Sequence, residues 1–211
     1  MGRTSDAREK ILGAAQSLIE LRGYSALGVA EICKGAGVPK GSFYYFFESK
    51  EALALAVLDE QWRAQGADWK RILEGGRRVP LRRLRQLFQE TEASLRAGQR
   101  SCGTVAGCMF GNLTLELSNQ TELIRERLQE IFDAQVEMVE KVIAQAQQRG
   151  EVDVADTRET ARSVVAQLEG QVLFAKLYNT TQRLDTLWAN CLLLLSAHPK
   201  IGPTLRPRLI S

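Results

Sequence analysis

Apolar residues in this chain recur in steps of three and four and do not alternate as in strands, which is the signature of helices with one buried face. The clearest run is Leu128, Ile131, Gln135, Met138 and Val142. No proline falls between Pro80 and Pro199, and that interval is rich in Leu, Ala, Glu, Gln and Arg, all good helix formers. Breaks at Gly75-Gly76, Gly98 to Gly103, Ser118-Asn119, Gly150-Glu151 and Asn179 to Arg183 predict helices over 50–74, 80–97, 103–117, 121–149, 156–178 and 184–197. The proline-containing tail, 199–211, is predicted to be irregular.

The N-terminal segment has a tighter rhythm. Ile11, Leu12, Ala15, Leu18 and Ile19 share one face of a helix over 5–22, with Gly23 as its stop. Val29, Ile32 and Cys33 give an inward face to a second, short helix, and Ala36-Gly37-Val38 makes a turn. Pro39 suits the first position of a third helix, where its missing N–H costs nothing. Helix, short helix, glycine-containing turn, helix is the helix-turn-helix arrangement. The predicted fold is all-α: a helix-turn-helix domain over 1–50, a second helical domain over 51–198, and helix 4 joining them from residue 50.

Composition narrows the function classes. With 211 residues, 45% of them hydrophobic, the chain can bury a real core. Its longest apolar patch, Cys191 to Leu195, falls far short of the about twenty residues a membrane span needs. The opening MGRTSDAREK lacks the apolar stretch of a signal peptide. Cys33, Cys102, Cys108 and Cys191 include no CxxC pair, and His198 is the single histidine. These features argue against a zinc site and for a reduced, cytoplasmic compartment. No Ser/His/Asp, metal or phosphate-loop pattern is present, so an enzyme would have to be a thiol-dependent one using Cys108, and no cofactor is expected. The net charge of +3 is mild and does not by itself declare a nucleic-acid binder.

The helix-turn-helix gives the stretch PKGSFYYFFESKEAL, from Pro39 to Leu53, a purpose. It is the second helix of the motif, the one that enters a major groove. Lys40 supplies charge, Gly41 close backbone approach, and Ser42, Tyr44 and Tyr45 hydroxyls and ring faces. Phe43 and Phe47, four apart, anchor the helix inward, and Lys50 can meet a phosphate at the start of helix 4. On periodicity alone the tyrosines could equally be rim residues of a helical core.

The segment GYSALGVAEICKGAGVPKGSFYYFFESKEAL resembles the DNA-binding domain of TetR-family transcriptional regulators, with Gly37, Val38, Gly41, Phe43, Tyr44, Phe47, Lys50, Glu51 and Leu53 matching the family pattern. Phe46 departs from it, standing where the family has a phosphate-contacting His or Tyr, and Gly28 stands where many members have a Thr N-cap. The resemblance implies a homodimeric repressor on a palindromic DNA operator, released by a small-molecule inducer bound in the C-terminal domain, with the last two long helices forming a four-helix bundle with the partner. Val165, Leu168, Val172, Trp188, Leu192 and Leu195 form stripes that suit that bundle or an intramolecular core, and the resemblance favours the dimer. A helical interaction protein without DNA binding is the alternative.

The second domain's most suggestive segment is SCGTVAGCMFGNLTLEL, residues 101–117. On a helix from Gly103, residues Cys108, Asn112, Leu115 and Glu116 share a face, and Gly107 and Gly111 imply tight packing or bending. The resemblance extends to a branch in which some members sense electrophiles through a cysteine, and Cys108 matches that position, implying a thiol-reactive electrophile as one inducer class. Physically the role needs a thiolate, and Cys102, next to Arg100 and nearer the expected helix start, is the better placed of the two. Pocket candidates are Trp62, Trp69, Phe88, Phe110, Leu113, Phe174 and Tyr178 as walls, with Asn112, Glu116 and Gln171 as polar groups. A basic run from Arg77 to Arg85 has no assigned role.

Overall fold

The computed structural model describes residues 2–75 and 78–195, and every regular element among them is helical. A head is built from α1 (Gly2–Arg22), α2 (Val29–Ala36) and α3 (Lys40–Phe46). The rest is α4 (Lys50–Leu73), α5 (Pro80–Cys102), α6 (Met109–Leu117), α7 (Glu122–Gln148) and α8 (Thr157–Leu177), then a 3-10 turn (Gln182–Thr186) and α9 (Leu187–Leu194). Three long helices begin where a side chain satisfies an orphan N–H. Ser49 accepts from Ala52 at the start of α4, Thr121 from Ile124 at α7, and Asp156 from Glu159 at α8. The turn between α2 and α3 closes on Gly37 at φ 65°, whose N–H donates to Lys34 O while Val38 N–H donates to Cys33 O.

Two cores hold the helices together, and their boundary is not the end of the head. One combines Ile11, Ile32, Phe43 and Phe47 with the first half of α4, with Phe110, Leu113 and Leu117 of α6, and with Ile124, Leu128 and Ile131 of α7. The other gathers the second halves of α4 and α7 with α5, α8 and α9. Helices α4 and α7 therefore each start in the head core and end in the second. Helix α6 packs on the head while its N-terminal end faces the second core.

Several helix ends differ from the periodicity. Helix α5 runs through Gly98 to Cys102, because a Cβ at Gly98 would meet nothing within 4 Å and an exposed glycine costs a helix only about 1 kcal/mol. The helix stops instead at Gly103, at φ 76°, and Gly107 is left-handed as well, at φ 82°, so α6 starts at Met109 and not at 103. The last predicted helix is split into the 3-10 turn and α9, and its end, with His198 and the tail, lies outside the described residues. Of the basic run, Arg77 also lies outside them, while Arg83 is buried and donates to Leu73 O at the end of α4 and to Gln145. Arg83 thus satisfies a helix terminus.

Candidate DNA-reading helix and small-molecule cavities

Helix α3 is fixed from below by aromatic packing. Phe43 is fully buried and Phe47 nearly so, with ring centroids 5.8 Å apart. Tyr44 and Tyr45 face outward at 56% and 73% exposure, beside exposed Lys40 and Gly41 and half-buried Ser42. A Cβ at Gly41 would meet nothing within 4 Å, so the backbone there is open to close approach. Phe46 is half-buried and meets Tyr45 edge-to-face at 4.8 Å. Lys50 behaves differently from the other candidates: its Nζ lies 3.9 Å from the Tyr24 ring centroid, and burial lowers its pKa against the pull of Glu116. Glu116 itself accepts from the N–H groups of Tyr24 and Ser25 in the α1–α2 loop. It is a link to the head and lines neither cavity.

Two cavities flank the N-terminal end of α6. An inner one, about 530 Å³, lies between α4, α5, α6 and α8 and has Trp69, Ile72, Leu87 and Met109 as apolar wall, with Gln61, Thr91 and Ser94 as polar groups. An outer groove of about 450 Å³ lies between α6, α7 and α8, lined mainly by apolar residues such as Phe132, Val136 and Val165 with Arg162 and Lys176 among them. Gly107, Cys108, Asn112, Glu169 and Val172 line both and form the wall between them.

The wall explains its glycines. A Cβ on Gly111 would stand 2.7 Å from Glu169 Oε2, and one on Gly107 would stand 2.9 Å from Lys176 Cδ. Asn112 accepts from Lys176 Nζ at 2.9 Å and donates to Ala106 O at 3.1 Å. Cys108 stands beside the Glu169 carboxylate, the two flanking Gly111. Burial, then the Glu169 charge, pushes the thiol far above its ordinary range, with the N–H groups of Gly111 and Phe110 opposing. Burial also raises Glu169, and the neighbouring Cys108 thiol counters it. Cys108 is the N-cap of α6, yet in this state it is a protonated thiol and not the thiolate a fast sensor needs. Cys102 is exposed at the C-terminal end of α5, the wrong end of a helix dipole for activation. All four cysteines are free, with Cys33 and Cys191 buried.

Both halves of this architecture match known families. Residues 11–57 match the bacterial regulatory proteins of the tetR family, and residues 80–190 match the tetracyclin repressor-like C-terminal domain. The chain belongs to the TetR family. It is similar to the HTH-type transcriptional repressor DhaR of Mycobacterium sp. strain GP1, with 34% identity over 187 residues, 88% of this chain and 89% of that one. Among solved structures it is similar to the reduced form of Escherichia coli NemR, at 25% identity and TM-score 0.82 over 93% of this chain and 100% of that one. It is also similar to a regulatory protein TetR from Rhodobacter sphaeroides, at 28% identity and TM-score 0.79 over 88% and 96% of the two chains. A TetR-family chain is a helix-turn-helix transcriptional regulator and not an enzyme.

Within this TetR-family regulator, the cavities take up only some of the expected pocket residues. Cys108 and Asn112 line both and Trp69 the inner one. Trp62 and Phe110 meet edge-to-face at 6.1 Å as part of the head core, and Leu113 is buried there. Phe88 packs on Trp188 in the second core. Phe174 and Tyr178 stack on each other on the exposed surface, and Gln171 is half-buried outside both cavities. Of the stripe expected at a dimer interface or in the core, Val165, Leu168, Val172 and Leu195 are buried within the chain, with Trp188 and Leu192 half-buried. The exposed apolar residues beside them are Leu173, Phe174 and Leu177 on α8, Tyr178 at its C-cap, and Leu193 and Leu194 on α9. Glu169 was not singled out from the sequence, although it sits at helical spacing from Val165 and Val172, an acid on an apolar stripe. Among the described residues no helix is long and apolar enough to cross a membrane, and no group of His, Cys, Asp or Glu is arranged to hold a metal ion.

Proposed function

We propose that this TetR-family regulator is a repressor that binds a palindromic operator as a homodimer and leaves it when a small molecule occupies the inner cavity. The observation that carries the reading is the two-faced α3, with Lys40, Tyr44 and Tyr45 outward over buried Phe43 and Phe47. Such a helix presents charge, hydroxyls and ring faces on a rigid support, as groove reading requires. The partner-facing surface is the exposed apolar face of α8 and α9, and two symmetric copies would set their reader helices about 34 Å apart, one turn of duplex. The inducer acts by favouring a head spacing that does not fit successive grooves, since affinity alone shifts no equilibrium.

A covalent inducer is the second reading, favoured by the position of Cys108 in the wall of both cavities. It requires the thiol to ionise against burial and the Glu169 charge. The experiment is a selection of genomic fragments by the purified protein, run with wild type, with Lys40→Ala/Tyr44→Ala, and with Cys108→Ser in the presence of a small thiol-reactive electrophile. A palindromic site lost by the double variant supports the repressor. A site still bound by that variant sinks the assignment of α3. Release by the electrophile from wild type but not from Cys108→Ser selects the covalent reading, and equal release discards it.

A further inference from the structure

The α1–α2 loop is fastened to the rest of the molecule by a carboxylate that neither the reader helix nor the cavities use. Gly23 leaves α1 at φ 80°, turning the next two N–H groups toward a common point, a backbone concavity suited to an anion. Glu116, near the C-terminal end of α6, fills it. Its Oε2 accepts from Tyr24 N–H at 2.9 Å and its Oε1 from Ser25 N–H at 2.5 Å. A Cβ on Gly23 would lie 3.3 Å from Oε2, so a glycine there leaves the carboxylate its room. Lys50, the first residue of α4, sits over the Tyr24 ring and acts on the same carboxylate. One side chain thereby joins the α1–α2 loop to α6, beside the start of α4.

The remaining contacts of α6 with the head core are apolar: Met109, Phe110, Leu113 and Leu117. Apolar contact is non-directional and lets packed helices slide, whereas a charged, two-point hydrogen bond fixes angle and register. The other end of the same short helix is the cavity wall. Cys108 caps it, and Cys108, Asn112 and Glu116 follow at successive four-residue steps along one stripe. The helix spans about 13 Å, short enough to move as one body. Burial would raise the Glu116 carboxyl, but the Ser25 and Tyr24 groups and Lys50 outweigh it and hold it below the ordinary glutamate range.

We infer that Glu116 is the positioning residue through which α6 sets the orientation of the DNA-reading head, so that a displacement of the Cys108–Asn112 end reaches the α1–α2 loop as a directed movement. The inference rests on the assignment of α3 as the reader. The test compares the full-length wild type with Glu116→Gln, which keeps the shape but loses the charge, and with Glu116→Leu, which loses the acceptor as well. In both variants the Tyr24 and Ser25 amides should exchange with solvent at least about tenfold faster than in wild type. Glu116→Gln should bind the fragment selected by wild type about tenfold more weakly. Its affinity should also depend less steeply on salt, because a misaligned head engages fewer phosphates. That slope would not move if the variant were merely less stable. Equal affinity and equal salt slope in the face of faster amide exchange would overturn the inference, as would unchanged exchange in both variants. Failure of the wild type to select any fragment would instead remove the reader assignment and the inference with it, a result distinguishable because the wild type alone produces it.

Discussion

Cys108 stands beside the Glu169 carboxylate in the wall shared by the inner cavity and the outer groove, and both groups are pushed toward their protonated forms by burial. Reactivity of a cysteine follows its thiolate fraction and its access to solvent. Iodoacetamide at neutral pH should therefore modify exposed Cys102 first and Cys108 at least about tenfold more slowly, as read by peptide mass spectrometry. In Glu169→Gln the charge that opposes ionisation is gone, and Cys108 should react several times faster than in wild type. Faster labelling of Cys108 than of Cys102 in the unliganded wild type would contradict the half-buried, protonated thiol.

Glu169 also sets a pH dependence of stability. Its folded pKa is raised, so between the unfolded and folded values the native state binds the extra proton. The penalty for burying the carboxylate is then absent at acidic pH and grows as pH rises through the raised folded value. Glu169→Gln should be more stable than wild type at neutral pH by about 1 kcal/mol, a Tm about 2–4 °C higher, and the difference should vanish below pH ~4. Calorimetry across that range checks it, and a variant destabilised at neutral pH would mean that the carboxylate form is the better partner for Cys108.

The turn of the helix-turn-helix depends on one left-handed residue. Gly37 has φ 65°, and a Cβ there would meet nothing within 4 Å, so only the backbone conformation penalises substitution. Gly37→Ala should cost about 1–2 kcal/mol in denaturant unfolding, and Gly37→Asn clearly less. Equal losses for the two would point to a packing role that the open space around Gly37 does not suggest.

Much of this was legible in the sequence because local signals agreed with tertiary ones. Ser49, Thr121 and Asp156 are side-chain caps in front of clean apolar periodicity, and the helices they start begin within a residue or so of the expected positions. Phe43 and Phe47 were legible as anchors from their spacing, and both are buried. The segment from Gly98 to Met109 was not, because a glycine's residue type does not reveal the sign of its φ. Gly98 continues a helix while Gly103 and Gly107 end or prevent one. The partner of each polar group was also hidden. Glu116 shares a helix stripe with Cys108, but only the fold shows that the stripe runs from a cavity wall to the α1–α2 loop. Likewise periodicity says that Val165, Leu168 and Val172 are covered without saying by what, and here their own chain covers them.

That last distinction gives a test of the assembly. Leu177 is 67% exposed and lies one turn from Leu173 on α8, whereas Leu168 on the same helix is 3% exposed inside the core. A charge at the first position should act on association and a truncation at the second on folding. Leu177→Glu should leave the helical circular dichroism intact while converting a dimer to a monomer in analytical ultracentrifugation. A stable interface buries about 1,600 Å², and an unpaired carboxylate at its centre opposes that burial. Leu168→Ala should instead cost the chain about 2–5 kcal/mol through the cavity it leaves. The melting temperature of wild type should rise with protein concentration, as mass action requires of a dimer, and that of Leu177→Glu should not. A Leu177→Glu protein that still sediments as a dimer would move the partner-facing surface away from this part of α8 and onto α9, where Leu193 and Leu194 are the exposed apolar residues.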